Sequence, residues 1–138
     1  MKKVTGIGGI FFKAQNPQAL YNWYEQHLGI QGNPGAGALF PWKEAEAPHQ
    51  EGITVWSIFP KDTDYLGSSQ TSFMINYRVA NLKELLHSLS AQGIEILGQQ
   101  DSEYGQFAWI HDIEGNRIEL WEPPSSTSSN PNASITLE

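Results

Sequence analysis

The sequence predicts an α+β domain made of two similar βαβββ halves that share one core. Three observations carry this. Strand-like and helix-like patterns follow the same order twice, with an offset of about 64 residues. Each helical stretch opens at an asparagine and closes at a glycine. Phe107 to Pro123 then reads as a β-hairpin, two apolar runs flanking Asp112-Ile113-Glu114-Gly115-Asn116, where Gly115 or Asn116 can take positive φ. One half alone could not cover its own sheet, so the two are expected to pack as a single domain.

In chain order, Ile7 to Lys13 reads as a strand. Asn16-Pro17 supplies an N-cap and a first-turn proline, and Leu20, Trp23, Tyr24, His27 and Leu28 recur at helical spacing up to Gly29. Ile30 to Ala38 is turn-rich, with Gly32, Pro34, Gly35 and Gly37. Leu39 to Trp42 reads as a short strand, Lys43 to Glu51 as a polar loop, Ile53 to Phe59 as a β-branched and aromatic strand, and Pro60 to Gln70 as a polar connector.

The opening pattern then returns. Ser72 to Val79 is a strand, and Asn81 to Glu84 has capping-box spacing. Leu82, Leu85, Leu86 and Leu89 form an apolar stripe that ends at Gly93, and Ile94 to Leu97 reads as a strand before the hairpin. Module one spans about 5–60 and module two about 70–122, with residues 1–123 as one domain and 124–138 an expected disordered tail rich in Ser, Pro and Asn.

At 138 residues the chain is long enough to bury a sizeable core. Its net charge of −7 argues against nucleic acid, whose phosphates call for clustered Lys and Arg. The absence of cysteine excludes disulfides and thiolate chemistry and suits a cytoplasmic location. No segment approaches the roughly 18 apolar residues of a membrane span.

Glu114-Gly115-Asn116-Arg117-Ile118-Glu119-Leu120-Trp121-Glu122-Pro123, at the end of a duplicated strand–helix–strand unit, resembles the vicinal oxygen chelate superfamily. Glyoxalases, bleomycin-resistance proteins, fosfomycin-resistance enzymes and extradiol dioxygenases belong to it. The resemblance covers roughly residues 5–123, with Gly105 and Ile118-Glu119-Leu120 fitting well and Ile113 replacing the usual proline. It implies a glyoxalase-like half-barrel, a small-molecule site and a homodimer. In metal-dependent members four strand positions hold the ion, and motif spacing matches these to Gly9, Trp56, Met74 and Glu119. Glycine and indole cannot ligate and a thioether is soft, so no metal or other cofactor is expected, Glu119 alone being a candidate ligand.

Strand alternation then proposes the lining of the hollow. Arg117, Glu119 and Trp121 share one face, opposite Ile118 and Leu120. With them are placed Phe11, Lys13, Trp56, Ile58, Met74, Asn76 and Arg78. A carboxylate among apolar side chains should have a raised pKa unless Arg117, Arg78, Asn76 or Lys13 reaches it.

The expected function is metal-independent binding of a small organic molecule, planar or weakly basic. The alternative is a glyoxalase-related lyase or isomerase using Glu119 as base or as a remaining metal ligand, with Arg78 or Lys13 as electrophile. A third reading, metal held by Glu119 with His49 or His111, is weaker.

Overall fold

The computed structural model describes residues 3–44, 50–68 and 70–124. The expected tail beyond Pro124 and His49 lie outside the described residues. The chain runs β1 (Val4–Ala14), α1 (Pro17–Leu28), β2 (Ala38–Lys43), β3 (Glu51–Pro60), β4 (Phe73–Val79), α2 (Leu82–Ala91), β5 (Gly98–Ser102), β6 (Gly105–His111) and β7 (Arg117–Glu122).

Local chemistry places the punctuation. The Asn16 side chain accepts from the Ala19 amide and that of Asn81 from the Glu84 amide, so each satisfies a donor that a helix leaves without an internal partner. Gly29 caps α1 in the left-handed region at φ 72°. In the hairpin turn Gly115 takes φ 85°, while Asp112 accepts from the Glu114 and Asn116 amides and from Asn116 Nδ2. Those bonds, Asn116 first, hold the Asp112 carboxyl below its usual range.

The strands form one curved open sheet in the order β2-β3-β1-β4-β7-β6-β5. Its centre is the antiparallel pair β1–β4, and on either side a parallel neighbour follows, β3 beside β1 and β7 beside β4. The two halves are thus related across the β1–β4 seam, as the repeated pattern predicts. They are not equal in detail. After α1 the first half has two strands and an isolated Asn33–Gly37 bridge, where three strands were expected. Gly35 and Gly37 at positive φ turn the chain instead of extending it. In the second half, Ile94 to Leu97 is not a strand. Pairing with β6 begins where Leu97 N donates to the Trp109 carbonyl, and the edge strand is the polar Gly98–Ser102. An edge strand half open to water has no need of an apolar run.

Two apolar clusters divide the sheet. On one face α2 covers Val79, Ala108, Ile110 and Leu120 with Leu82 and Leu86. On the other, Phe11, Val55, Phe59, Leu66, Met74, Phe107, Trp109 and Trp121 pack together without a helix. Helix α1 faces β3 through Tyr21, which is 1% exposed, whereas Trp23 and Leu28 of the expected stripe are at the surface. The Tyr21 hydroxyl accepts from the buried Ile58 amide at 2.8 Å. Tyr21→Phe should therefore lose about 1–2 kcal/mol by orphaning that amide, measurable by urea unfolding. A loss below a few tenths would show that the bond contributes nothing net.

Candidate functional site

Glu119 occupies the middle of the helix-free face and is 0% exposed. Register explains its neighbours. Val55 pairs with Gly9, Gly9 with Asn76, Asn76 with Glu119, and Glu119 with Trp109, so one row of residues crosses the sheet through the carboxylate. Paired residues point to the same side. The row therefore brings an amide and an indole to the acid.

Three neutral donors meet it. Asn76 Nδ2 donates to Oε1 at 2.6 Å, while Trp109 Nε1 and the Tyr65 hydroxyl donate to Oε2 at 2.8 and 2.5 Å. Burial pushes the Glu119 carboxyl above its usual value, against the opposing pull of those hydrogen bonds and the more distant Arg117 charge. Burial, followed by the Glu119 charge, also keeps the Tyr65 hydroxyl protonated far above the usual phenol range. Tyr65 is thus a donor throughout the physiological range.

Among the described residues, two polar atoms beside this cluster are buried without partners, Asn76 Oδ1 and Arg117 Nε. Gly8 makes room for the first. A Cβ there would lie 2.2 Å from Asn76 Oδ1 and 2.9 Å from Trp121 Cε3. The Arg117 guanidinium carbon lies 5.5 Å from the Trp109 ring centre, and its stem packs where Gly67 has no side chain.

The other expected lining residues divide. Phe11, Met74 and Trp121 are in the same cluster as Trp109, with the Trp121 indole donating to the Tyr104 carbonyl at 2.8 Å. Lys13 lies at the rim, its ammonium on the Ser68 carbonyl. Arg78 shares the parity of Asn76 but is engaged elsewhere, with Glu44 at 3.2 Å, Thr5 at 2.8 Å and the Trp42 ring at 5.4 Å.

Trp56 and Ile58 are not there. Trp56 pairs with Ile10 and packs against Phe12, Tyr21 and Tyr24 on the α1 side, and Ile58 shares that side through its pairing with Phe12. The residue in register with Glu119 on the first half is Val55. Motif spacing misplaced the strand by one residue, and a slip of one inverts the face of every side chain. The β4 residue opposite Glu119 is Asn76, while Met74, two residues earlier, pairs with Phe11 on the same face.

Trp109, Tyr65, Leu66 and Gly8 were missed. Trp109 was legible, because a hairpin centred on Glu114 sets it opposite Glu119. Tyr65 and Leu66 were the only large apolar residues in a connector otherwise polar, which was their sole signal. Gly8 carried none.

The donor set does not suit a metal ion. The carboxylate oxygens face N–H and O–H groups, each of which would have to turn away or lose its proton before a cation could enter. Among the described residues no three His, Asp or Glu side chains come together, and His111 is exposed.

No protein-family model matches the sequence, and no curated protein matches it. Solved structures share the arrangement of the chain. Methylmalonyl-CoA epimerase from Streptomyces coelicolor, in complex with 2-nitronate-propionyl-CoA, superposes with a TM-score of 0.65 at 15% identity, covering 88% of this chain and 99% of that one. The Mycobacterium tuberculosis methylmalonyl-CoA epimerase gives 0.56 at 18% identity, covering 88% and 89%. A Legionella pneumophila structure described as an NAD-dependent benzaldehyde dehydrogenase gives 0.55 at 13% identity, covering 84% and 98%. Such different named activities on one architecture show that it does not dictate a reaction. What is shared is the fold alone, an α+β chain with one curved open sheet of the vicinal-oxygen-chelate-like kind.

Proposed function

We propose that the domain binds a small organic molecule on its helix-free face, anchored by Glu119 and Asn76 and without an intervening metal. One observation carries the reading. A fully buried carboxylate is held, among the described residues, by neutral donors with no cation in hydrogen-bond contact, at the centre of a face lined by aromatic rings. Burying a charge in this way is costly, and a site needed only for packing is better filled by an apolar residue. Asn76 Oδ1 and Arg117 Nε support it further, since partnerless buried polar atoms call for an unseen partner. They offer a ligand one acceptor and one donor.

Screening aromatic and weakly basic compounds by tryptophan fluorescence tests this. Compounds that bind should lose about tenfold or more in affinity in Glu119→Gln, because a charged acceptor becomes a neutral one. Equal affinity in the variant would place the ligand elsewhere.

A second reading, a lyase or isomerase with Glu119 as base, is favoured by the raised proton affinity of that carboxyl. Full turnover in Glu119→Gln on any carbonyl substrate would sink it. Homodimerisation rests on the resemblance, and sedimentation velocity decides it. No helix among the described residues is long and apolar enough to cross a membrane, and a cytoplasmic location is proposed from the lack of cysteine alone.

A further inference from the structure

Two of the donors to Glu119 belong to the sheet, Asn76 in β4 and Trp109 in β6. The third, Tyr65, arrives from the connector between β3 and β4. Its ring lies parallel to Phe59, with centroids 5.5 Å apart and planes 2° apart, and edge-on to Phe11 and Trp109 at 6.4 Å each. The phenol is thus held as a planar ligand would be, walled by rings and with one polar substituent on a desolvated acceptor.

The connector leaves this side chain separable from the rest. Leu66 anchors the turn in the core at 0% exposure, whereas Tyr65 beside it is only partly buried. The backbone hydrogen bonds here are short turns, Thr63 to Pro60 and Gly67 to Asp64, with Gly67 at φ 101°. Swinging the Tyr65 side chain outward breaks one hydrogen bond to the sheet and leaves the Leu66 anchor in place.

We infer that the Tyr65 side chain is a tethered stand-in for the ligand. A monocyclic aromatic molecule carrying a hydroxyl or amino donor takes its place between Phe59 and Trp109 and donates to Glu119. This rests on the reading of the face as a small-molecule site and adds the ligand's class and an internal competitor. A tethered competitor acts at its effective concentration, so removing it must tighten binding of the free molecule.

The probe is 4-methylphenol, the side chain of tyrosine as a free compound. The readout is the Trp109 indole N–H resonance, one of five tryptophan signals, which reports on the Glu119 contact. Saturable shifts of that signal are expected in the parent protein. Affinity should rise about tenfold in Tyr65→Phe, which keeps the ring and gives up the charged hydrogen bond. In Tyr65→Ala it should rise about a hundredfold, as the space itself is freed.

Should affinity stay level or fall in both variants while the Trp109 signal still responds, Tyr65 is a wall of the site and not its occupant. The inference then fails and the small-molecule reading stands. Should the Trp109 signal stay still in all three proteins, the ligand class is wrong and the inference fails with it. Should the screen of Glu119-dependent binders also come up empty, the underlying reading fails too. Tyr65→Phe, being conservative, keeps the test decisive if Tyr65→Ala does not fold.

Discussion

Glu119→Gln should unfold at a higher temperature than the parent protein at pH 7, and the gap should close as the pH falls towards 4. The carboxyl binds its proton more tightly folded than unfolded, because burial raises it from the ordinary 4.5. Its contribution to stability is therefore full below the unfolded value and is lost as the pH rises through the folded one. Glutamine carries no such proton and escapes that loss.

Geometry allows the exchange. The glutamine oxygen can accept from Tyr65 and Trp109, while its amide nitrogen faces Asn76. That residue need only turn its own amide over to present Oδ1, the atom that has no partner now. A gain of about 1–2 kcal/mol is the scale on which exchanging a buried charge for a neutral group acts. For 138 residues that is roughly 3–6 °C in Tm. Thermal unfolding of both proteins from pH 4 to 8 gives the answer. A variant less stable than its parent at every pH would mean that the three donors more than offset the desolvation of the ionised acid. A stabilised variant that has lost ligand affinity would mark Glu119 as a residue kept at the expense of stability.

Gly105→Ala should have the larger effect, in the opposite direction. The residue sits at the start of β6 with φ 122°, a conformation that side chains rarely adopt. A Cβ there would lie 2.3 Å from the Glu122 carbonyl oxygen and 3.0 Å from Trp121 Nε1. The first of these is backbone and cannot swing aside. Displacing it moves the end of β7, whose Glu122 carboxylate accepts from the Leu82 amide at the start of α2. A loss of about 3 kcal/mol or more is expected, roughly 10 °C in Tm. Gly115→Ala is the control, since its φ is 85° but nothing lies within 4 Å of the added carbon. It should cost about 1 kcal/mol. Equal losses in the two variants would show that φ alone matters and that the contact with β7 does not.

The hairpin was the most legible part of the chain because everything that shapes it is local. Asp112 and Gly115 close its turn, alternation assigns Glu119 and Trp121 to one face, and the turn centre sets the register that faces Trp109 with Glu119. The helix starts at Asn16 and Asn81 were legible for the same reason. By contrast, the site needed a register between strands far apart in sequence. Trp56 was counted onto the wrong face because a motif match off by one residue inverts alternation, and only the pairing of β3 with β1 shows that Val55 holds that row.

By itself the sequence determined the α+β class, the duplicated order of elements and the direction of a carboxylate towards the helix-free side, since capping, turns and period-two alternation act within a few residues. Tertiary structure decided what meets that carboxylate. Asn76 comes to it through a parallel pairing across 43 residues, and Tyr65 through a connector folding back across 54. Hydrogen bonds of that range are chosen by the whole packing of the core, and no local pattern encodes them.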